Sequence, residues 1–423
     1  LKKQNYYLVD CNNFFVSCER VFQPKLEGKA VVVLSNNDGC IISRSEEAKK
    51  LGIKMGTPAF QINDLIKKHR VVVFSSNYML YGDFSQRVMH CLQNFSADIE
   101  IYSIDEAFLL LPQEKSKKSS SGKSIAESVR QWTGIPVSVG IGETKTLAKA
   151  ANYLVKKHFT NRSSFDFSTL SEKKKKDYLQ LIPVDEIWGV GRQYSKMLQT
   201  LGISSAFDLM KAPESLIRKK MTVQGERIVK ELKGIPCFSL EDAPQQKKAI
   251  CNSRSFGKPL SEYADIEQAT TSFATRCAEK LRHQSSCAKN LMVFLMTNRF
   301  AKGPHYVNSK IIELEVASND TSEIIHYSRK LLASLYKKGY AYKKSGVIVS
   351  GIIPEDQVQL ALFDEKNRSK IKQLTKTIDA INQENGRDKV FYAVNGTKKD
   401  WRMKQEKLSP FFTTKWSDLP IIQ

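Results

Sequence analysis

Three carboxylates interrupt stretches of this chain that otherwise read as core. The apolar run Tyr6-Tyr7-Leu8-Val9 ends on Asp10, and the longer run from Ile99 to Leu111 carries Asp105 and Glu106 in its middle. A buried carboxylate needs a partner, because an unpaired charge removed from water is far costlier than an apolar group. A divalent cation is one such partner, and one or two acids with substrate phosphates are the usual oxygen donors for Mg²⁺. A helix cap or an ion pair with lysine is the better account of a single acid after a strand, but it explains an adjacent pair less well. Neighbouring residues on a regular strand face opposite ways, so Asp105 and Glu106 reach one site only from a turn or bulge.

The chain has 423 residues, with 66 Lys and Arg against 44 Asp and Glu, a formal charge of +22. Domains of about 100–200 residues suggest two to four of them. No apolar run approaches the ~18 residues of a membrane span, and the start, Leu1-Lys2-Lys3-Gln4-Asn5, leads into a strand rather than a signal peptide. Neither a membrane-spanning nor a secreted protein is expected. The eight cysteines form no Cys-x-x-Cys pair, and the six histidines do not fall at zinc spacings near them, so reduced thiols in the cytoplasm are expected. The charge excess points to a polyanionic partner, with solubility alone as the bland alternative.

The pattern along the chain is mixed α/β. Strands are expected at Tyr6 to Asp10, Ala30 to Leu34, Val71 to Phe74 and Ile135 to Gly142, and a strand pair within Ile99 to Leu111. Helices are expected around Phe14 to Val21, Glu46 to Leu51, Tyr81 to Gln93 and Ser124 to Gln131, with a Ser/Lys-rich loop from Glu114 to Lys123. A shorter helical region opens at Lys173 to Lys176, and Pro244 to Lys248 reads as a linker. Strands Ile250 to Phe256, Leu291 to Thr297 and Lys310 to Val316 then alternate with helices Ile266 to His283 and Thr321 to Tyr336, an α/β sandwich. Beyond Pro354 the chain is polar and Lys-rich with isolated aromatics.

Four ordered motifs stand on this pattern: Asp10-Cys11-Asn12-Asn13-Phe14-Phe15 with Cys18-Glu19, Ser35-Asn36-Asn37-Asp38-Gly39-Cys40, Tyr102 to Phe108, and Gly140 to Lys149. Together with Phe74 to Tyr78 and Leu408-Ser409-Pro410, they resemble the Y-family translesion DNA polymerases, and within that family the bacterial UmuC type. The resemblance implies an α+β right hand: palm at 1–19 and 79–165, short fingers at 20–78, a helical thumb with a helix-hairpin-helix at 166–240, an α/β little finger at 247–353, and a C-terminal partner-binding region at 354–423. It implies template-directed, error-prone DNA synthesis in the SOS response to DNA damage by a nucleotidyltransferase. Two Mg²⁺ ions would be held by Asp10, Asp105, Glu106 and the Cys11 carbonyl. Phe14, Phe15, Ser43, Lys49 and Lys156 would meet the incoming dNTP, with Phe15 as steric gate against ribose. Lys49 stands where many relatives have Arg, and Glu46 where many have Tyr.

Ile187-Trp188-Gly189-Val190-Gly191-Arg192 fits a helix-hairpin-helix whose turn at Gly189, Gly191 and Arg192 offers backbone N–H groups to a phosphate. A degenerate second hairpin is expected at Thr222 to Gly234. Ser253, Arg254 and Ser255 match the template-contacting strand of the little finger, with Arg282, Lys289, Arg299 and Lys302 adding charge nearby. Gln359, Leu360, Leu362 and Phe363 resemble a sliding-clamp motif, its glutamine on the pocket rim and its apolar side chains as anchors. The resemblance further implies primer-template DNA, a UmuD-type dimer and RecA as partners, no membrane, and a bacterial cytoplasmic, nucleoid-associated location. The competing classes are a non-catalytic, clamp-associated DNA-binding protein and a two-metal nuclease. Presence of all three acids separates the first from an enzyme, and the triphosphate context of Phe15 and Lys156 argues against the second.

Overall fold

The structure, a computed structural model, describes residues 4–112, 121–241, 246–362, 364 and 366–421. The chain divides into two compact units, one formed by Leu1–Ser35, Gly39–Pro244 and Lys407–Gln423, the other by Asn36–Asp38 and Gln245–Glu406.

The first unit is built on a five-stranded sheet in the order Ile99–Ile101, Glu106–Pro112, Gln4–Cys11, Val137–Gly142, Ser164–Asp166. Its last pair is parallel and the others antiparallel. After its first residue the central strand is buried on both faces, which is why it reads as one apolar run. Tyr7 and Val9 enter a core with Leu80, Phe84 and Val88 of helix Tyr78–Gln93 and with Val129 of helix Gly122–Thr133. Tyr6 and Leu8 turn the other way, to Phe108 and to Ala148 of helix Lys145–Lys157.

Glycine lets that last helix approach. A Cβ on Gly140 would lie 2.1 Å from the Ala148 carbonyl oxygen and 2.4 Å from Asn152 N, and one on Gly142 would lie 2.7 Å from Leu147 Cβ. The helix backbone therefore rests directly on strand Val137–Gly142.

A three-stranded sheet, Ile41–Arg44, Val31–Leu34 and Val72–Ser75, has its own core of Val32, Leu34, Ile41, Ala48 and Ile53. Its strand Ile41–Arg44 and the helix Asn63–Lys68 were not foreseen in the sequence. Each is too short for a periodic pattern to show. Helices Glu172–Gln180, Arg192–Thr200, Ala206–Lys211 and Glu214–Leu232 enclose a further core around Leu179, Leu198, Leu209 and Ile228. The expected second hairpin is the latter part of helix Glu214–Leu232, which breaks at Thr222, where φ is 65°.

The second unit is an antiparallel sheet in the order Val307–Ser318, Ser286–Thr297, Tyr342–Pro354, Ala249–Leu260, sharing one core with helices Tyr263–His283 and Thr321–Leu335. The sequence reading found three of these strands and missed Tyr342–Pro354, whose buried Val347 and Val349 make it a core strand. The stretch after Pro354 is folded too. Helix Arg368–Glu384 is followed by a segment that packs on helix Tyr263–His283 through Trp401, 5.4 Å from Phe273, and through Asn395, whose Nδ2 donates to Thr275 Oγ1 at 3.1 Å. From Lys407 onward the chain belongs to the first unit: Phe412 stacks on Phe22 at 4.6 Å, and Asn77 Nδ2 donates to Ser409 Oγ at 3.0 Å. Most of the expected loop Glu114 to Lys123 lies outside the described residues, as do Pro244 and Gln245 of the expected linker; the helix Gly122–Thr133 begins behind a Ser121 cap. Among the described residues no helix is long and apolar enough to cross a membrane, and the eight cysteines are free thiols.

Candidate active site

Cross-strand register sets two of the acids side by side. Asp10 pairs with Glu106 across the antiparallel strands Gln4–Cys11 and Glu106–Pro112, so both side chains leave the face of Tyr6, Leu8 and Phe108. Asp105 sits just before, in the turn that adjacent acids require. Tyr102 and Ser103 N–H both donate to the Glu106 carbonyl at 3.1 Å. Ser103 Oγ accepts from Asp105 N at 3.2 Å and from Glu106 N at 3.0 Å, and it donates to the Asp105 carboxylate at 2.6 Å. Cys11 N donates to the Asp105 carbonyl at 2.8 Å, tying this turn to the end of the central strand. Burial pushes the Cys11 thiol well above its usual range, so it acts as an inert core group beside the acids.

Over this face lies helix Lys145–Lys157, presenting Lys145, Lys149, Asn152 and Lys156 at a spacing that forms a single stripe. Each meets the sheet: Lys145 Nζ lies 2.5 Å from Glu100, Lys149 Nζ 3.1 Å from Glu106, and Lys156 Nζ 2.5 Å from Asp10. Asn152 Nδ2 donates to the Ser138 carbonyl at 3.1 Å. The Asp10 carboxyl is pushed up to about 7, first by burial and further by Glu106, against the pull of Lys156. Lys149 also lies 4.4 Å over the Tyr102 ring and 5.7 Å from the Trp188 ring, and Trp188 Nε1 donates to the Tyr102 hydroxyl at 3.1 Å. The helix-hairpin-helix is thereby joined to the turn that carries the acids.

The donors here are hard oxygens, drawn together against their own repulsion and compensated by long, flexible ammonium side chains. That donor set fits a divalent cation. Among the described residues no three His, Cys, Asp or Glu side chains converge as a finished metal cluster, since Asp105 is turned onto Ser103 and the two lysines cover Asp10 and Glu106.

The remaining predicted site residues fall as follows. Phe15 is half-buried and stacks on Tyr81 at 4.5 Å, whereas the Phe14 side chain is in the core, 3% exposed. Ser43 is buried, donating to the Asn13 carbonyl at 3.3 Å and accepting from Val16 N at 3.4 Å, which fastens helix Phe14–Phe22 to the three-stranded sheet. Lys49 pairs with Glu46 at 2.6 Å, and Glu46 also accepts from Asn13 Nδ2 at 3.1 Å. Gly189 has φ 85°, and Gly191 caps helix Arg192–Thr200 with no side-chain cap bond among the described residues. Arg192 is exposed.

In the second unit Ser253, Arg254 and Ser255 lie on the edge strand Ala249–Leu260, with Arg254 exposed. Arg282 is not available as a surface cation. Its guanidinium makes two bonds to Asp379, at 2.6 and 2.8 Å, and further bonds to the Asn319 carbonyl and Thr321, so it is a brace. Gln359, Leu360 and Leu362 lie on an exposed segment, with Leu362 91% exposed; Phe363 lies outside the described residues.

Sequence reasoning quoted Glu19 and Lys149 within the motifs without giving either a role, and it missed the Lys145–Glu100 pair and the buried Glu231. The lysine stripe was readable as a four-, three- and four-residue spacing from Lys145 to Lys156. Glu19 stands in the first motif, but nothing in the sequence alone marks its burial on helix Phe14–Phe22 or its bonds to Tyr81 and to Ser409 near the far end of the chain.

The fold and the acid site define the class. The chain is similar to a solved Y-family DNA polymerase chimera of Dbh and Dpo4, with a TM-score of 0.62 at 19% identity, covering 83% of this chain and 99% of that one. The fold is that of a Y-family DNA polymerase. Residues 9–153 match the impB/mucB/samB family, residues 247–362 its C-terminal domain, and residues 372–422 a domain of unknown function, DUF4113. The chain is 42% identical to Protein SamB of Salmonella typhimurium and 41% identical to Protein UmuC of the same species, each over 98% of this chain and 99% of the relative. It belongs to the impB/mucB/samB family, the UmuC-like branch of the Y-family translesion DNA polymerases.

Proposed function

We propose that this protein extends DNA primers across damaged template bases by nucleotidyl transfer at Asp10, Asp105 and Glu106. The observation that carries the reading is the juxtaposition of Asp10 and Glu106, with Asp105 in the adjoining turn, beneath Lys149 and Lys156. Asp10, Asp105, Glu106 and the Cys11 carbonyl would hold Mg²⁺, which would supply charge neutralisation for the triphosphate and lower the pKa of the primer hydroxyl. Lys156, 36% exposed, exchanges Asp10 for a triphosphate oxygen, and Lys49 does the same from Glu46. Phe15, braced by Tyr81, presents the ring edge that excludes a ribose 2′-hydroxyl.

In this reading the palm spans 1–19 and 79–165, the fingers 20–78, the thumb 166–240 and the little finger 247–353. Gly189, Gly191 and Arg192 hold backbone phosphates, while Ser253, Arg254 and Ser255 track the template. The exposed Gln359–Leu362 stretch, continued by Phe363, docks a sliding clamp. A UmuD-type dimer and RecA are its protein partners, and it works at the bacterial nucleoid.

The test is primer extension on undamaged and abasic templates with Mg²⁺ and dNTPs, comparing wild type with Asp105→Ala/Glu106→Ala, alone and with clamp, UmuD-type and RecA proteins. Extension by wild type that vanishes in the variant supports the reading. A wild type inert under all these conditions, or a variant as active as wild type, refutes it.

A further inference from the structure

A cleft of about 680 Å³ opens within the second unit, walled by helix Tyr263–His283 on one side and by the segment from Arg387 to Gln405 on the other, with Asn252 and Arg254 of strand Ala249–Leu260 at its edge. The walls are firmly joined. Trp401 packs on Phe273, Thr271 Oγ1 donates to the Val394 carbonyl at 3.4 Å, and the Arg402 carbonyl comes so near Gly257 that a Cβ there would lie 2.6 Å away. The cleft is thus part of the fold and not a gap beside a loose tail.

Its charge is lopsided. Six permanently cationic side chains line it against two carboxylates, Glu279 and Asp388. Those carboxylates are already engaged, Arg276 pairing with both and Lys399 with Asp388 at 2.7 Å. The other four cations, Arg254, Lys280, Arg387 and Arg402, are exposed and make no ion pair among the described residues. Four like charges around one concavity repel one another, a cost that an anionic ligand relieves. On the rim stands Phe391, 40% exposed, an aromatic face without a ring partner among the described residues.

We propose that this cleft binds single-stranded nucleic acid, its four unpaired cations taking successive phosphates and Phe391 stacking a base. A concave site of this size lies within the ~300–1,000 Å³ range of ligand pockets. It suits an unstacked strand, whereas a duplex is read by an element protruding into its ~12 Å major groove. Unpaired cations combined with an exposed ring is the arrangement by which proteins hold single strands without reading sequence. Arg387, Lys399 and Arg402 lie in the segment matched by the domain of unknown function, and strand binding gives that segment a task. The proposal does not rest on the polymerase reading, because strand binding needs neither dNTP nor metal.

The test uses the full chain and a short fluorescein-labelled oligo(dT), with polarisation read over a salt series. Arg387→Glu/Arg402→Glu is expected to weaken binding at least about tenfold and to lower the salt slope by about 1.4, at roughly 0.7 per lost phosphate contact. Reversing two exposed lysines elsewhere, Lys67→Glu/Lys68→Glu, controls for overall charge and is expected to change affinity less than about twofold. Phe391→Ala, which keeps every charge, is expected to weaken binding several-fold, and it carries the test should the double variant misfold by circular dichroism. Equal losses in both charge reversals, an unchanged salt slope, or undiminished binding by Phe391→Ala would overturn the proposal. So would displacement of the strand as effectively by dTMP or by a blunt duplex as by unlabelled oligo(dT), since the cleft would then serve a nucleotide or double-stranded DNA.

Discussion

Glu19 is a buried acid whose surroundings make stability depend on pH in a calculable way. It has no exposed surface. The Tyr81 hydroxyl donates to Oε1 at 2.8 Å and the Ser409 hydroxyl at 3.0 Å, while Oε2 has no partner among the described residues. Burial pushes the carboxyl from 4.5 up to about 7 in spite of those two bonds. Between these values the unfolded chain has lost the proton and the folded protein retains it. The unfolded state then binds fewer protons, so stability falls as pH rises through this window. At about 1.4 kcal/mol per unit over a shift of roughly 2.5 units, the loss comes to about 3.5 kcal/mol and is complete near pH 8. Glu19→Gln keeps an acceptor for Tyr81 and Ser409 but has no proton to lose. Urea unfolding of both proteins in parallel should give similar stabilities near pH 4.5, with the variant more stable by about 2–3 kcal/mol at pH 8. Taking the difference cancels every other titrating group, Asp10 included. A gap of the same size at both pH values, or a wild type more stable at pH 8, would refute the reasoning.

Three other outcomes are expected. Gly140→Ala forces a Cβ to 2.1 Å from the Ala148 carbonyl; it should cost about 3 kcal/mol or more by urea unfolding and lower primer extension by displacing the lysine stripe. Lys149→Met leaves Glu106 without its cation while preserving side-chain bulk, so kcat for nucleotide incorporation should fall about tenfold or more, equivalent to about 1.4 kcal/mol, with a nearly unchanged melting temperature. Arg282→Ala removes the two bonds to Asp379 on helix Arg368–Glu384; hydrogen exchange in that helix should accelerate, with a local cost of about 2 kcal/mol, while affinity for primer-template is unchanged.

How much of this could be read beforehand varies with how local the cause is. Helix Phe14–Phe22, the strands around Asp10 and the turn demanded by adjacent acids follow from periodicity and from the geometry of a strand. The residues of the acid site were legible for the same reason, because each interrupts an apolar run. What escaped is non-local. Strand Tyr342–Pro354 follows a Lys/Gly/Tyr-rich turn that masks its start, and its identity lies in its pairing with Ser286–Thr297. The region beyond Pro354 looked like a single polar tail because its few apolar anchors, Trp401 and Phe412, are far apart in sequence. They pack in different units, one on Phe273 and the other on Phe22. Arg282 was misread as surface charge because its partner, Asp379, is 97 residues away.

The glycines of strand Val137–Gly142 and the acids of the neighbouring strands belong to one device. Leu8 lies opposite Gly140 and Asp10 opposite Ser138, so the face that lacks side chains on one strand adjoins the face that carries the carboxylate on the next. Because Gly140 and Gly142 admit the helix backbone, Lys149 and Lys156 come within reach of Glu106 and Asp10; any side chain at those positions would hold the helix away and leave both acids without a cation. The start of the same helix is fixed from the helical part of the unit, where the buried Glu231 carboxylate accepts from Thr146 N at 2.9 Å and from Cys237 N at 2.7 Å, an anion at the positive end of the helix dipole. Helix Lys145–Lys157 is therefore held at its start and along its first half by contacts that have no chemical role themselves. Its register against the sheet decides which lysine faces which acid, and a shift of one residue would turn the stripe about 100° away from them. Close packing at two glycines and a buried carboxylate at the helix start are thus as much requirements of the acid site as the acids themselves.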